Sequence, residues 1–204
     1  MKKHVLSIIL TLAMTASLLT VYAGATDFTD DDEILYKEAV GVLSTIEVIN
    51  GYEDKSFRPE GTLSRGAAAK IICNLILSPA AAEEKLDAAS APFPDVPADH
   101  AFAGYITYCA KEGIISGYAD GNFEPSGTLS GYAFVKMLLG ALGYRAETEG
   151  YVGDNWSENV IKRARDIGLD EGLQGAFAGE VPITRQEACL FACNALKAGP
   201  VEYD

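Results

Sequence analysis

The sequence has little of several residue types on which enzymes and nucleic-acid-binding proteins depend. Of 204 residues only two are histidine and one is tryptophan, and lysine plus arginine number 16 against 29 acidic residues. Because His100 is the only histidine after the first 25 residues and no Cys-x-x-Cys pair occurs, we predict no metal site, no cofactor and no histidine-based catalytic set. The formal charge of −13 argues against nucleic acid as a partner, since phosphate binding needs a basic face.

Long hydrophobic runs are also scarce, and the one clear example is at the start. Residues 1–25 combine Lys2 and Lys3, an apolar run that ends at Val21, and a small-residue end at Ala23-Gly-Ala25. This pattern predicts a secretory signal peptide rather than a membrane anchor, because the run is short and diluted by Ala, Thr and Ser. Its removal would change the formal charge from −13 to −15 and leave an exported chain with no membrane span.

Cysteine is sparse too, and its four copies allow two interpretations. An even number in an exported protein permits two disulfides. All four nevertheless lie in apolar stretches with helical spacing, which favours buried free thiols: Cys73, Cys109, Cys189 and Cys193.

What the sequence does contain is a repeat. Residues 51–64 and 117–130 share Gly-Tyr-x-Asp-x-x-Phe-x-Pro-x-Gly-Thr-Leu-Ser, and a weaker third copy is visible at residues 168–172 and 183–187. Units of roughly 50–65 residues cannot each bury a full core, so we expect the three to fold against one another.

Apolar residues at helical spacing flank each copy, which predicts a mostly α fold of three helix-loop-helix units. In the first unit the stripe before the loop contains Leu35, Ala39, Val40, Leu43 and Ile46. The predicted organisation is repeat 1 at 26–78, a linker or helix extension at 79–91, repeat 2 at 92–144, repeat 3 at 145–197 and a tail at 198–204.

Two arginines stand at the predicted first positions of the second helices. Arg65 follows the predicted N-cap Ser64, and Arg185 follows Thr184, which forms a capping-box pattern with Glu187. A cation there opposes the helix macrodipole. One interpretation is an anion site made by free backbone N–H groups and a guanidinium in a groove; the other is an exposed arginine paired with a nearby carboxylate.

Repeats 1 and 2 also begin with an aromatic-x-Asp motif, at Phe28 and Phe93. Together with the duplicated loop and the arginine at the helix start, this motif resembles the S-layer homology domain. The resemblance covers nearly the whole mature chain, in three tandem copies. The resemblance implies a pseudo-threefold array of the repeats around a central helical bundle. It also implies a secreted protein of the bacterial cell wall or S-layer. Such a protein is expected to attach non-covalently to a secondary cell-wall polysaccharide bound to peptidoglycan, often one carrying a pyruvate ketal.

The resemblance also implies ligand-binding residues in this sequence, one set from each motif position. They are the arginines Arg65 and Arg185, the opening acids Asp30, Asp95 and Asp154, and the loop glycines Gly51, Gly117 and Gly172. Trp156 is predicted either to stack on a sugar or to belong to the core. Repeat 2 has Gly131 in place of the arginine, which predicts a weak or empty groove in repeat 2 and a looser helix start.

Two other functions are carried as alternatives. The repeats could bind protein, as in a scaffold or an S-layer lattice. A wall-carbohydrate hydrolase with paired carboxylates is the less favoured alternative, because no acidic motif stands outside the repeat pattern. We therefore predict that the chain is not an enzyme.

Overall fold

The structure is a computed structural model that describes residues 27–87 and 92–203. Its regular structure within those ranges is helical, and β-bridges occur only as isolated residue pairs. A short 3-10 turn, Asp31–Glu33, is followed by α1 Lys37–Thr45, α2 Arg65–Leu77, α3 Pro79–Lys85, α4 Ala103–Lys111, α5 Gly131–Ala141, α6 Trp156–Asp166 and α7 Arg185–Lys197. The predicted mostly α fold is confirmed, while the predicted signal peptide lies outside the described residues.

Side-chain caps fix the starts of the three second helices, α2, α5 and α7. The hydroxyl groups of Ser64, Ser130 and Thr184 each accept a hydrogen bond from the third amide of their helix. The predicted capping box is present, because Glu187 also accepts from the Thr184 amide at 3.0 Å. Each helix therefore begins where the sequence predicted.

The segment after α2 forms a separate short helix. Ser78 has a φ of 63°, which interrupts the helical backbone, and Pro79 then opens α3. The Ser78 hydroxyl accepts from the Ala81 amide and caps the new helix. Residues 79–85 thus form a helix of their own instead of extending α2.

The three repeats interleave. The first helix of each repeat packs on the second helix of another repeat: α1 on α7, α4 on α2, and α6 on α5. In addition, α5 contacts both α2 and α7. One continuous core results, and all three repeats contribute fully buried aromatic rings to it, Phe57, Phe134 and Phe191. The order of these contacts is cyclic, since repeat 1 packs on repeat 3, repeat 2 on repeat 1 and repeat 3 on repeat 2. The pseudo-threefold symmetry itself stays a prediction.

The core contains the predicted cysteines but not Leu35 of the predicted apolar stripe. All four cysteines are buried free thiols, as predicted, and burial raises the pKa of both Cys73 and Cys189 to about 12. The prediction that Leu35 belongs to the apolar stripe of the first helix is wrong. Leu35 is 58% exposed, because α1 begins only at Lys37. Among the described residues no helix is both long and apolar enough to cross a bilayer.

Candidate functional site

The two candidate arginines lie where one repeat's second helix begins against another repeat's loop. We name these contacts by the loop: the loop-1 junction joins the start of α7 to residues 50–61, the loop-2 junction joins α2 to residues 116–127, and the loop-3 junction joins α5 to residues 177–181. Isolated bridges link them through Thr62–Thr184, Ser64–Thr128 and Ser130–Pro182. The arginine of one repeat therefore acts together with the loop of the next.

Backbone hydrogen bonds use the first amides of each second helix. At the loop-1 junction the Arg185 amide donates to the Gly61 carbonyl at 2.7 Å and the Gln186 amide donates to the Pro59 carbonyl at 3.1 Å. At the loop-2 junction the Arg65 amide donates to the Gly127 carbonyl and the Gly66 amide to the Pro125 carbonyl. At the loop-3 junction the Gly131 amide donates to the Val181 carbonyl and the Tyr132 amide to the Gly179 carbonyl. The expectation of free amides for an anion is therefore wrong, because loop carbonyls already accept from them.

The Arg185 guanidinium lies across loop 1. Its Nε donates to the Phe57 carbonyl and its Nη2 to the Asn50 carbonyl, both at 2.8 Å. The same group stacks on the rings of Tyr52 and Phe57, 4.9 Å and 4.6 Å from their centroids. The residue is only 8% exposed, and it forms no ion pair with the described part of the chain. Burial lowers its pKa from the ordinary value of 12.5, and the group stays charged at neutral pH.

Arg65 repeats this arrangement on loop 2. Its Nε donates to the Phe123 carbonyl at 2.7 Å and its Nη2 to the Ser116 carbonyl at 3.3 Å. The guanidinium stacks on Tyr118 and Phe123, 4.6 Å and 4.5 Å from their centroids. Arg65 is partly exposed and has no ion pair within the described ranges, so the sequence-based alternative of a surface ion pair is wrong for both arginines.

The loop-3 junction has no space for an arginine. A Cβ atom added to Gly131 would lie 2.5 Å from the ζ carbon of Phe177, and one added to Gly179 would lie 2.2 Å from the Tyr132 ring. Aromatic rings therefore lie where the first side-chain carbon of a residue at position 131 or 179 would be. The predicted looser start of α5 is wrong, because Gly131 is buried and its amide donates at 3.0 Å to Val181.

The opening acids of repeats 1 and 2 accept hydrogen bonds from the backbone of their loops. Asp30 accepts from the amides of Phe57 and Arg58 at 2.7 Å each, and Asp95 accepts from the amides of Phe123 and Glu124 at 2.9 and 2.6 Å. Burial acts to raise the pKa of Asp95, but these two amides, the amide of Asp95 itself and the charge of Arg65 together outweigh it and lower that pKa. In repeat 3 Asp154 is exposed and bonds to no described loop amide.

The loop glycines differ in role. A Cβ at Gly51 would lie 2.5 Å from the Phe28 ring, and one at Gly117 would lie 2.7 Å from the Phe93 ring, so each admits its opening aromatic residue. Gly172 instead has a φ of 82°, a left-handed conformation that favours glycine. The equivalence of Gly172 with the other two in the motif does not extend to this local geometry.

Exposed aromatic rings lie beside the arginines, and Trp156 is elsewhere. The Trp156 ring is partly buried and lies 5.4 Å from the Lys136 ammonium nitrogen on α5. Tyr52 and Tyr118 are 42% and 46% exposed and face Arg185 and Arg65. The signal that could have identified these tyrosines is the second position of the duplicated Gly-Tyr-x-Asp motif.

Comparison with known proteins identifies these repeats. The family model of the S-layer homology domain matches residues 27–69 and 92–131. These ranges contain the first helix and the loop of each of the first two repeats and the start of each second helix. The chain contains S-layer homology domains. Its third repeat, outside that match, shares the capped helix start and the arginine with the first S-layer homology domain.

The relatives of this chain include surface proteins and an exoglucanase. The chain is 28% identical to the cell surface protein of Thermoanaerobacter kivui, over 98% of this chain and 25% of that protein. It is 25% identical to the surface layer protein of Brevibacillus choshinensis, over 85% of this chain and 15% of that protein. It is also 25% identical to exoglucanase XynX of Acetivibrio thermocellus, over 91% of this chain and 18% of that protein.

The match with these relatives is therefore to a part of each. The chain spans a quarter or less of the length of all three proteins. Together with the S-layer homology domains, the surface and cell-wall relatives indicate a secreted protein associated with the bacterial cell wall.

Proposed function

We propose that the chain is a non-catalytic attachment module. It binds a secondary cell-wall polysaccharide non-covalently, through acidic groups such as the carboxylate of a pyruvate ketal. The observation that carries this proposal is the Arg185 guanidinium, which is 8% exposed and forms no salt bridge with a carboxylate of the described residues. Asp30 acts on it only as a minor electrostatic influence, because both Asp30 oxygen atoms accept from loop amides. Buried charges in proteins are ordinarily paired, so an unpaired guanidinium in a chain with 29 acidic residues favours an external anion.

The neighbouring groups suit an acidic sugar. The Nη1 of Arg185 makes no hydrogen bond with the described residues and is free to donate to a carboxylate. The exposed Tyr52 ring beside it offers an apolar face of the kind on which pyranose rings stack. The loop-2 junction offers the same pair of groups, Arg65 and Tyr118, whereas the loop-3 junction has Gly131 in place of the arginine.

The carboxylates at the junctions support a role without catalysis. A general acid for glycoside hydrolysis needs a raised pKa, whereas the amides of Phe123 and Glu124 lower the pKa of Asp95. Both oxygen atoms of Asp30 and of Asp95 are engaged by loop amides, a structural use.

Co-sedimentation of the mature protein with cell walls tests the proposal. We expect binding to walls that keep the secondary polymer and none after its chemical removal. The variants Arg65→Ala and Arg185→Ala should each reduce binding, and a charge-assisted hydrogen bond of about 1.5–3 kcal/mol corresponds to roughly one to two orders of magnitude in affinity. Arg165→Ala is the matched control, since that arginine is 62% exposed and pairs with Asp170.

Two results would contradict the proposal. Binding that persists after polymer removal, with self-association of the protein, would favour the scaffold or lattice function. Unchanged binding by both arginine variants would exclude the anion site. Because Arg185→Ala removes two hydrogen bonds to loop 1, Arg185→Lys and a circular dichroism spectrum of each variant separate loss of binding from loss of fold.

A further inference from the structure

The two arginine junctions differ in charge, although their backbones correspond. In loop 1 the Tyr52 ring has two guanidinium neighbours: Arg185 at 4.9 Å and Arg58, from the loop itself, at 4.0 Å. The Arg58 side chain is 54% exposed, and its Nη2 pairs with Asp54 at 2.9 Å while its Nε donates to Ser56 at 3.1 Å. A second cation therefore lies at the solvent edge of the Arg185 site.

Loop 2 carries an acid at the equivalent position. Glu124 stands 66 residues after Arg58, and the two residues share a left-handed backbone with φ values of 58° and 57°. Each follows the phenylalanine whose carbonyl accepts from the junction arginine, and each donates its amide to the opening aspartate. Their side chains thus leave corresponding points of the two loops with opposite charge.

The surrounding residues increase the contrast. Between positions 52 and 58 the two acids Glu53 and Asp54 balance Lys55 and Arg58, whereas positions 118–124 contain two acids and no base. With the facing arginine included, residues 52–58 and Arg185 have a formal charge of +1, whereas residues 118–124 and Arg65 have a charge of −1. Over the full junctions, where loop 1 also contains Glu60, the formal charges are 0 and −1. Proximity of two guanidinium groups is itself unfavourable, and an anion bound between them relieves that repulsion.

We propose that the residue at positions 58 and 124 sets the affinity of each junction for acidic sugar, so that the loop-1 junction is the stronger site. This inference rests on the proposed polysaccharide-binding function and adds which of its junctions dominates and why. Arg58 attracts the carboxylate of the ligand directly, and Glu124 repels it at the loop-2 junction. Both effects are between partly exposed charges, so each weakens as salt is added.

Calorimetric titration with a pyruvylated wall disaccharide tests the assignment. The background Arg65→Ala isolates the loop-1 junction, and the background Arg185→Ala isolates the loop-2 junction. In the first background Arg58→Glu should weaken binding about tenfold, and in the second Glu124→Arg should strengthen it by a similar factor. Lys162→Glu, an exposed change of equal charge on α6, is the control and should change neither affinity by more than about twofold.

The outcomes separate this inference from the function on which it rests. If the unaltered chain binds neither the disaccharide nor cell walls, the proposed function fails and this inference fails with it. If the two arginine backgrounds each keep one site but Arg58→Glu and Glu124→Arg behave like Lys162→Glu, only the inference is overturned. A titration of the disaccharide at several salt concentrations adds a second criterion, since the loop-1 affinity should fall more steeply with salt than the affinity of the Arg58→Glu variant.

Discussion

At the scale of single residues, the first helix of each repeat is followed, two positions after its last residue, by a residue with a left-handed backbone. These residues are Glu47, Gly113 and Gly168, with φ values of 59°, 71° and 74°. The amide that follows each of them donates to the carbonyl five residues earlier: Val48 to Leu43, Ile114 to Cys109 and Leu169 to Ala164. Glycine is the usual residue at this position because it adopts a positive φ without steric cost, and repeat 1 lacks it.

The first prediction exchanges these residues. Glu47→Gly should raise the free energy of unfolding by about 0.5–1 kcal/mol, because it removes the left-handed strain and an acid at a helix C-terminus. Gly113→Ala should lower it by about 1 kcal/mol, since a Cβ there meets no atom within 4 Å and only the backbone conformation opposes it. Urea denaturation measures both values. A loss of stability in Glu47→Gly would show that the glutamate makes a stabilising contact.

At the scale of elements, the helix starts were the part that sequence described best. Ser64, Thr184 and Glu187 take the capping roles that their spacing predicted, since these bonds join residues three positions apart. The partners of the arginines could not be predicted in this way. Arg185 donates to the carbonyl of Phe57, 128 residues away, and only the packing of α7 against loop 1 brings the two together.

The second prediction concerns Gly131 at the start of α5. Helix propensity alone predicts that Gly131→Ala stabilises α5 by about 1 kcal/mol. Because the new Cβ would lie 2.5 Å from Phe177 and 3.1 Å from the Gly179 Cα, we expect instead a loss of about 1–3 kcal/mol.

The matched control for that prediction is Gly140→Ala in the same helix. Its Cβ would meet Ile114 at 3.4 Å, close to ordinary contact, so the propensity gain should remain and stability should rise by up to about 1 kcal/mol. Thermal and urea unfolding of the two variants provide the comparison. Equal gains at both positions would mean that the loop-3 junction has room for a side chain.

At the scale of the whole molecule, the interleaved packing makes each repeat depend on the others. Helix α1 buries Leu43 and packs on α7 of repeat 3. Gln186 of α7 also accepts at 2.8 Å from the Leu35 amide of repeat 1. We therefore expect the described domain to unfold as one cooperative unit.

The third prediction uses the single tryptophan as a distant probe. Leu43 in repeat 1 is 1% exposed, and Leu43→Ala should lower the free energy of unfolding by about 2–5 kcal/mol. Trp156 lies in repeat 3, so its fluorescence follows the unfolding of that repeat, whereas circular dichroism follows all the helices. We expect both signals to give the same loss in the free energy of unfolding. Leu35→Ala, at a position 58% exposed, should change stability by less than about 0.5 kcal/mol. Different midpoints for the two signals would show that the repeats unfold separately.

The sequence by itself determined the elements and the family. Periodic apolar residues, caps and the duplicated loop motif are local signals, and they sufficed to predict helices, cysteine burial and S-layer homology domains. The tertiary structure alone decided which repeat's arginine faces which loop, that loop carbonyls accept from the first helical amides, and that Phe177 fills the place opposite Gly131. The physical reason is that these contacts join residues about 50 to 135 positions apart, where spacing along the chain says nothing about proximity.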